Sequence, residues 1–353
     1  MPSEGAAGSA AVGEHTVAAG LARGLLEFAA SKGASLDALA ARAQIDPAHL
    51  VDQDHRVPLA KYVTLMRAAK ELTGDPALPL RFGAEVDMAR LSVVGLLLHA
   101  SETLGEVLAQ LNRYGRLIIE VDSGPGDRFQ LRREDGRLWI VDMRADPNDF
   151  PELTEATFAR FVGRTRQFGI ENFVTEVHVT HPAPSHSREY ERIFGAPTLF
   201  ESRWNAMQVD EAWLTHRVAL QPRYVFGILS EHAEALLRSL ESSKSTRGRV
   251  ERMLMPILHT GEASIDAIAR KMGRSRKTLY RKLKAEGVTF EQVLDELRRQ
   301  LAIHYLRGRK VSINETAYLV GFSDPAGFSR AFKRWTGSSP SALRDGRSGP
   351  RED

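Results

Sequence analysis

The feature that most restricts what this chain can fold into is a degenerate internal repeat in its last third. Ser264-Ile265-Asp266 through Gly273-Arg274-Ser275 is matched by Ser312-Ile313-Asn314 through Gly321-Phe322-Ser323, an offset of 48 residues in both blocks, with Ala269 answering Ala317. After each Gly, Leu279…Leu283-Lys284 answers Phe328…Phe332-Lys333, with one extra residue in the second copy. Each copy reads as two short helices around a turn. Ser264 and Ser312 are placed to cap the first helix, and Gly273 and Gly321 supply the positive φ that ends it. Ser275 and Ser323 stand where the second helix needs its own cap. Phe290–Leu306, with Val293, Leu294, Leu297, Leu301 and Tyr305 on one stripe, predicts a longer helix holding the copies at fixed separation.

The second helix of each copy is apolar on one side and basic on the other. Leu279, Leu283, Phe328 and Phe332 belong to the core. The candidate contact residues are Arg276, Lys277, Tyr280, Arg281 and Lys284 in the first copy. In the second they are Asp324, Ala326, Ser329, Arg330, Lys333 and Arg334. Basic side chains on an exposed helix suit the major groove of double-stranded DNA, where arginine reads guanine edges and phosphate contacts fix register. Charge supports this at larger scale. From Lys244 onward the chain holds 23 Lys and Arg against 12 Asp and Glu, whereas the residues before it hold 25 against 33. A basic end joined to an acidic remainder fits a polyanion-binding module attached to a body that stays off the polyanion.

The remainder mixes helix and strand. Helices are predicted over His15–Lys32, Ser35–Ala43, Pro58–Leu72, Leu91–His99, from Ser101 or Thr103 to Arg113, Pro151–Phe168 and Ser187–Phe194. Strands are predicted over Arg128–Arg133 and Leu138–Met143, joined by the Asp135-Gly136 hairpin turn, and over Glu176–Thr180, Thr198–Phe200 and Ala206–Val209. The fold class expected is therefore an α+β N-terminal domain, helices plus a small, mostly antiparallel sheet, followed by an all-α domain with two helix-turn-helix units. The divisions are a disordered lead over 1–14, a first domain over 15–220, and a helical connector and linker over 221–244. The helix-turn-helix domain spans 245–344, and a tail 345–353. Within the connector the helix reads as Tyr224–Leu240, and polar Glu241–Thr246 as the boundary.

Several chemistries are disfavoured. The chain has no cysteine, which removes disulfides and thiolate metal sites and suits a reducing, cytoplasmic setting. Its longest apolar run, near Val93–Leu98, is far short of the ~20 residues of a membrane span, and residues 1–13 lack a signal-peptide pattern. His178, His181 and His186 invite a metal reading. Strand alternation sets the first two on opposite faces, and no carboxylate recurs at ligand spacing, so no metal and no other cofactor is expected. Glu120 and Asp122, or Asp146 and Asp149, read as solvated acids instead of a catalytic pair. Titratable residues do not converge elsewhere, so no enzyme is expected. Gly124-Pro125-Gly126 precedes a strand, as a turn does and a phosphate loop does not. Trp139, Phe150 and Phe158 are candidates for a pocket lining or, more simply, for ordinary core.

Residues Gly321-Phe322-Ser323 through Phe328-Ser329-Arg330-Ala331-Phe332-Lys333 and Gly337-Ser338-Ser339-Pro340, with Arg344 beyond, resemble the signature of the AraC/XylS family of transcription regulators. The resemblance covers about 245–344 and departs at Leu343, where the family has an aromatic residue. It implies sequence-specific DNA binding, with Arg281 and Arg330 at the positions that most often reach the DNA. Arg56-Val57-Pro58-Leu59, Leu72-Thr73-Gly74-Asp75-Pro76, Thr103-Leu104-Gly105-Glu106, His181-Pro182-Ala183-Pro184 and Glu189–Gly195 resemble the arabinose-binding-type effector domain of a subgroup within that family. The resemblance thus implies a small organic effector of unspecified identity, activation of transcription, RNA polymerase as a partner, and a homodimer. Sugars, amino-acid-like compounds, aromatic acids and fatty acids all serve as effectors in the wider family.

Overall fold

The computed structural model describes residues 15–170, 172–218, 223–308 and 311–344, in two compact units divided between Leu237 and Arg238. The expected lead over 1–14 and tail over 345–353 lie outside the described residues.

The first unit opens with strand β1 (Thr16–Ala18) and helices α1 (Ala19–Ser31) and α2 (Leu36–Ala43). Strand β2 (Arg56–Pro58) pairs antiparallel with β1 and leads into α3 (Leu59–Thr73). The helix predicted from His15 thus begins only at Ala19. Thr16 and Val17 are β-branched, and extended backbone lets them pair with residues some forty positions away. Ser35 caps α2 as expected, and Gly74 ends α3 in the left-handed region. Helices α4 (Leu78–Glu85), α5 (Val93–His99) and α6 (Leu104–Ile118) follow, and Ser92 and Thr103 cap the last two. Sequence reasoning missed α4, whose second residue is Pro79 and whose interior carries Gly83.

Strands β3 (Phe129–Glu134) and β4 (Arg137–Asp142) form the expected hairpin, with Asp135 at φ 50° and Gly136 at φ 75°. After α7 (Pro151–Gln167) come β5 (Val174–His178), α8 (Ser187–Phe194), β6 (Thr198–Leu199) and β7 (Asn205–Val209). The sheet order is β3-β4-β7-β5-β6, antiparallel except for the β5–β6 pair. Its inner face packs Phe129, Ile140, Val177 and Met207 against Phe158, Val162, Tyr190 and Phe194 of α7 and α8. Helices α4 and α7 approach so closely that a Cβ at Gly83 would overlap the Ala156 carbonyl, and one at Gly163 would crowd Ala84. Glycine at both crossings is what permits that contact.

Helix α9 (Arg223–Lys244) runs through the polar segment read as a boundary; only Ser245, the cap of α10 (Thr246–Leu254), separates the two helices. The second unit continues with α11 (Ile265–Lys271), α12 (Arg276–Ala285), α13 (Phe290–Gly308), α14 (Ile313–Leu319), α15 (Pro325–Thr336) and α16 (Pro340–Arg344). Among its described residues there is no strand. One core joins Val250, Leu254 and Leu258 to Ile268, Leu279, Leu283, Val293, Leu297, Ala317, Phe328 and Phe332. The stripe of α13 drifts from the predicted one. In its last turns Ala302 and Leu306 are the buried positions, and Leu301 and Tyr305 are only partly buried. Helix α13 packs against α10, α14, α15 and α16, so different partners bury different faces of it along its length.

Candidate nucleic-acid interface and ligand cavity

Each repeat builds the predicted pair of helices. Ser264 and Ser312 accept from the amides of Ala267 and Glu315, and Glu315 returns a bond to the Ser312 amide, completing a capping box. Gly273 (φ 62°) and Gly321 (φ 81°) make the turns. At Gly321 a side chain would also strike the Leu258 carbonyl. Ser275 caps α12. In the second copy the cap is Asp324, not Ser323: its carboxylate accepts from the Gly327 amide at 2.7 Å. The extra residue in this copy places Pro325 at the first helical position, which moves the cap forward by one.

On α12, Lys277, Tyr280, Arg281 and Lys284 are exposed at i, i+3, i+4 and i+7, a single stripe opposite buried Leu279 and Leu283. On α15, Ala326, Ser329, Arg330 and Lys333 occupy the same four steps opposite buried Phe328 and Phe332. Lys277, Arg281, Lys284, Arg330 and Lys333 have no ion-pair partner among the described residues. The remaining candidates are partly engaged within the protein. Arg276 lies 3.3 Å from Asp266, and Arg334 lies 3.0 Å from Asp295. Asp295 also accepts from the Trp335 indole at 3.1 Å. Ser329 is half-buried and donates to the Pro325 carbonyl at 2.9 Å.

One positioning residue was missed by sequence reasoning. Arg298 of α13 donates to the carbonyls of Val320 and Gly321 at 3.1 and 3.2 Å, and its guanidinium faces the Phe322 ring. It ties the linking helix to the second turn. Burial lowers its pKa, opposed by the charge of Asp295. Nothing in a local pattern marks it, because its partners are backbone groups more than twenty residues away.

The first unit holds a partly open cavity of about 190 Å³, well above the ~10–15 Å³ that admits a single water. Leu21, Tyr62, Met66, Leu111, Phe129 and Phe161 give it an apolar wall, and Phe150 also borders it. Phe158 instead belongs to the sheet core, and Trp139 packs on the far face of the sheet with Val141, Ala206 and Trp204. Most charged groups at the cavity are already paired. Arg128 forms a bidentate bond to buried Asp142 at 3.0 and 2.9 Å, Asp87 meets His99 at 3.0 Å, and Glu152 meets Lys70 at 2.9 Å. Burial alone would raise the Asp142 pKa, but Arg128 and Arg144 hold it below the usual carboxylate value.

Two expectations about acids fail. Glu120 is not solvated: it is 2 % exposed and accepts from the Thr16 amide and hydroxyl at 3.2 and 2.7 Å, because the β1 region closes over it. Titratable residues also do converge. Tyr190 donates to Glu155 at 2.6 Å, and its hydroxyl lies 3.4 Å from the His181 ring. Burial raises the Glu155 pKa to about 7. This cluster is sealed in the core and borders no part of the cavity wall. His181 lies beyond β5, which ends at His178, where Glu176 approaches at 2.6 Å. His186 stacks over Tyr190.

Two family models match the chain: "Arabinose-binding domain of AraC transcription regulator, N-term" over residues 33–218 and "Helix-turn-helix domain" over 268–346. The chain belongs to the AraC family of transcription regulators. Among AraC-family relatives, the Ornithine utilization regulator of Pseudomonas aeruginosa is 29% identical over 332 residues, spanning 92% of this chain and 95% of its own length. The HTH-type transcriptional activator RhaS of Escherichia coli is 42% identical over 89 residues, spanning 25% of this chain and 32% of its own. A crystal structure of the transcriptional regulator CdpR from Pseudomonas aeruginosa aligns with a TM-score of 0.41 at 22% identity, covering 92% of this chain and 97% of that one. The fold of this chain is an α+β first unit and a helical second unit with two helix-turn-helix pairs. No helix among the described residues is long and apolar enough to cross a membrane.

Proposed function

We propose that this AraC-family regulator activates transcription by placing α12 and α15 in the major groove, under control of a small molecule held in the cavity of the first unit. The observation that carries the DNA contact is the pair of equivalent stripes, each with unpartnered basic side chains aligned on one exposed helix face. Lys277, Arg281, Lys284, Arg330 and Lys333 are the principal contacts in this reading, with Arg330 and Arg281 as base readers and the lysines on phosphates. Tyr280, Ala326 and Ser329 complete the two surfaces. Arg276 and Arg334 reach phosphate by exchanging an intramolecular acid for it, and Asp324 acts through the α15 cap.

The apolar cavity favours an effector-controlled regulator over a constitutive DNA-binding protein, which needs no such space. Effector binding would shift the fraction of molecules competent for DNA. The assembly in this reading is a cytoplasmic homodimer that contacts RNA polymerase. No catalytic role is assigned in this reading to the buried Glu155–Tyr190–His181 cluster, which has no access to the cavity.

The test is binding of the full chain, and of a fragment beginning at Ser243, to DNA upstream of its own gene at two salt concentrations. Sequence-selective, salt-sensitive binding is expected of both. Binding that ignores sequence in both would overturn the regulator reading. Identical behaviour of the two across all added small molecules would overturn effector control.

A further inference from the structure

Among the charged groups around the cavity, Arg160 stands apart. It makes no hydrogen bond or ion pair with any described residue, and its Nε is buried without a partner. Its one neighbour of note is the Phe82 ring, 5.8 Å from the guanidinium carbon. The residue nevertheless keeps accessible surface, and it lines the cavity. Burial lowers its pKa, with Tyr62 opposing and the charge of Arg128 adding to the effect.

One helical turn along α7, Arg164 also lines the cavity. Its Nη1 donates to Gln167 at 3.0 Å, while its Nη2 is buried without a partner. Two arginines at i and i+4 on one helix repel each other, and here they do so at an apolar wall where water screens little. Two of the acids at the cavity are committed, Glu152 to Lys70 and Asp142 to Arg128; Asp87, which also meets His99, lends its charge to Arg164 but makes no ion pair with Arg160. Asp127 sits exposed at the rim. The cavity therefore combines an apolar wall with a positive charge, that of Arg160, which no acid among the described residues pairs.

We propose that the cavity binds an organic acid with an apolar body, its carboxylate taken by the guanidinium groups of Arg160 and Arg164 and its body lying against Leu111, Phe129 and Phe161. The proposal rests on the reading of the first unit as an effector domain and narrows the effector to one chemical class. A bidentate carboxylate would give the Arg160 fork its missing acceptors. A neutral sugar would leave the Arg160 charge uncompensated and its own hydroxyls against an apolar wall.

The experiment titrates octanoate and 3-phenylpropanoate, and their primary amides as uncharged counterparts, into the full chain by calorimetry, with L-ornithine and inorganic phosphate alongside. The acids are expected to bind and the amides to bind far more weakly. Arg160→Met should lower acid affinity by about ten- to a hundredfold, the loss of a charge-assisted contact. Removing an unpaired charge should leave the melting temperature of the ligand-free protein unchanged or higher. If that variant does not fold, Arg164→Met serves for the same comparison. Equal affinity for acids and amides, or full acid affinity in the folded variant, overturns the proposal. So does tighter binding of phosphate or ornithine than of either acid. A DNA affinity that responds to some other class of molecule would overturn the acid proposal and leave effector control standing.

Discussion

Single side chains divide into those proposed to read DNA and those that hold the reading helices in place. Arg330 has no intramolecular partner among the described residues and sits mid-stripe on α15, so its guanidinium is free to meet a guanine edge. Arg330→Ala is expected to weaken binding to the preferred site by about 1–3 kcal/mol and to relax selectivity at one base pair. Lys333→Ala should weaken binding evenly across sequences and reduce the salt slope by about one. A competition assay over single-base variants separates the two, and a uniform loss in Arg330→Ala would reassign it to phosphate. At Glu155 the prediction concerns pH. Its pKa in the fold, about 7, lies above the ordinary carboxylate value of 4.5, with burial the main cause. The folded state thus holds a proton that the unfolded chain releases. The associated stability is fully present below about pH 4.5 and is lost as pH rises through 7. Glu155→Gln keeps an acceptor for Tyr190 and cannot ionise. It should flatten the stability profile over that window by on the order of 1–3 kcal/mol. A denaturant series at pH 5, 6, 7 and 8 that declines equally in both proteins would rule this out.

At the scale of elements, caps decide what the sequence reveals. Helices α2, α11 and α12 were legible because serine caps mark their starts, Ser35 before Leu36 being an example, and α8 because Gly195 marks its stop; α6 starts at its Thr103 cap but runs to Ile118, past the expected end at Arg113. Strands β1 and β2 were not, since three-residue strands have no pattern of their own and exist only as a pair. Helix α4 was hidden by Pro79 and Gly83, both poor helix formers that tertiary packing overrides. The α15 cap shows how one inserted residue misleads an argument from repeats. Asp324→Ala should destabilise the second unit by about 1 kcal/mol, and Ser323→Ala by less than about 0.5. Equal losses in urea melts of the two variants would return the cap to Ser323. Arg298→Ala belongs beside them. It frees two carbonyls at the second turn, and it should reduce DNA affinity through α15 although it lies on neither stripe.

The exposed stripes of α12 and α15 were readable in the sequence because they repeat; the cavity was not, because its wall draws on six helices and a strand spread over more than a hundred residues. What the whole chain does show from sequence is its charge division, and that has a measurable consequence. A phosphate-binding unit releases counterions on binding, so log K falls with log salt in proportion to the phosphates contacted. The acidic residues before Lys244 act differently. They repel DNA through the field of the chain, and that field is felt over roughly 30 Å at 0.01 M salt but only roughly 8 Å at 0.15 M. The full chain should therefore bind random-sequence DNA more weakly than the fragment beginning at Ser243 at low salt, and the gap should narrow as salt rises. On the preferred site the ratio of the two affinities should, at each salt concentration, be the same as on random-sequence DNA, because base contacts add equal free energy to both proteins and leave the field term as it was. Fluorescence anisotropy across the salt range measures both. A gap that stays constant with salt would mean that the first unit occludes the second sterically, and no gap at all would mean that its acids face away from the DNA. A narrowing gap makes the acidic unit an electrostatic gate against non-specific binding, one that can act whether or not the cavity is filled.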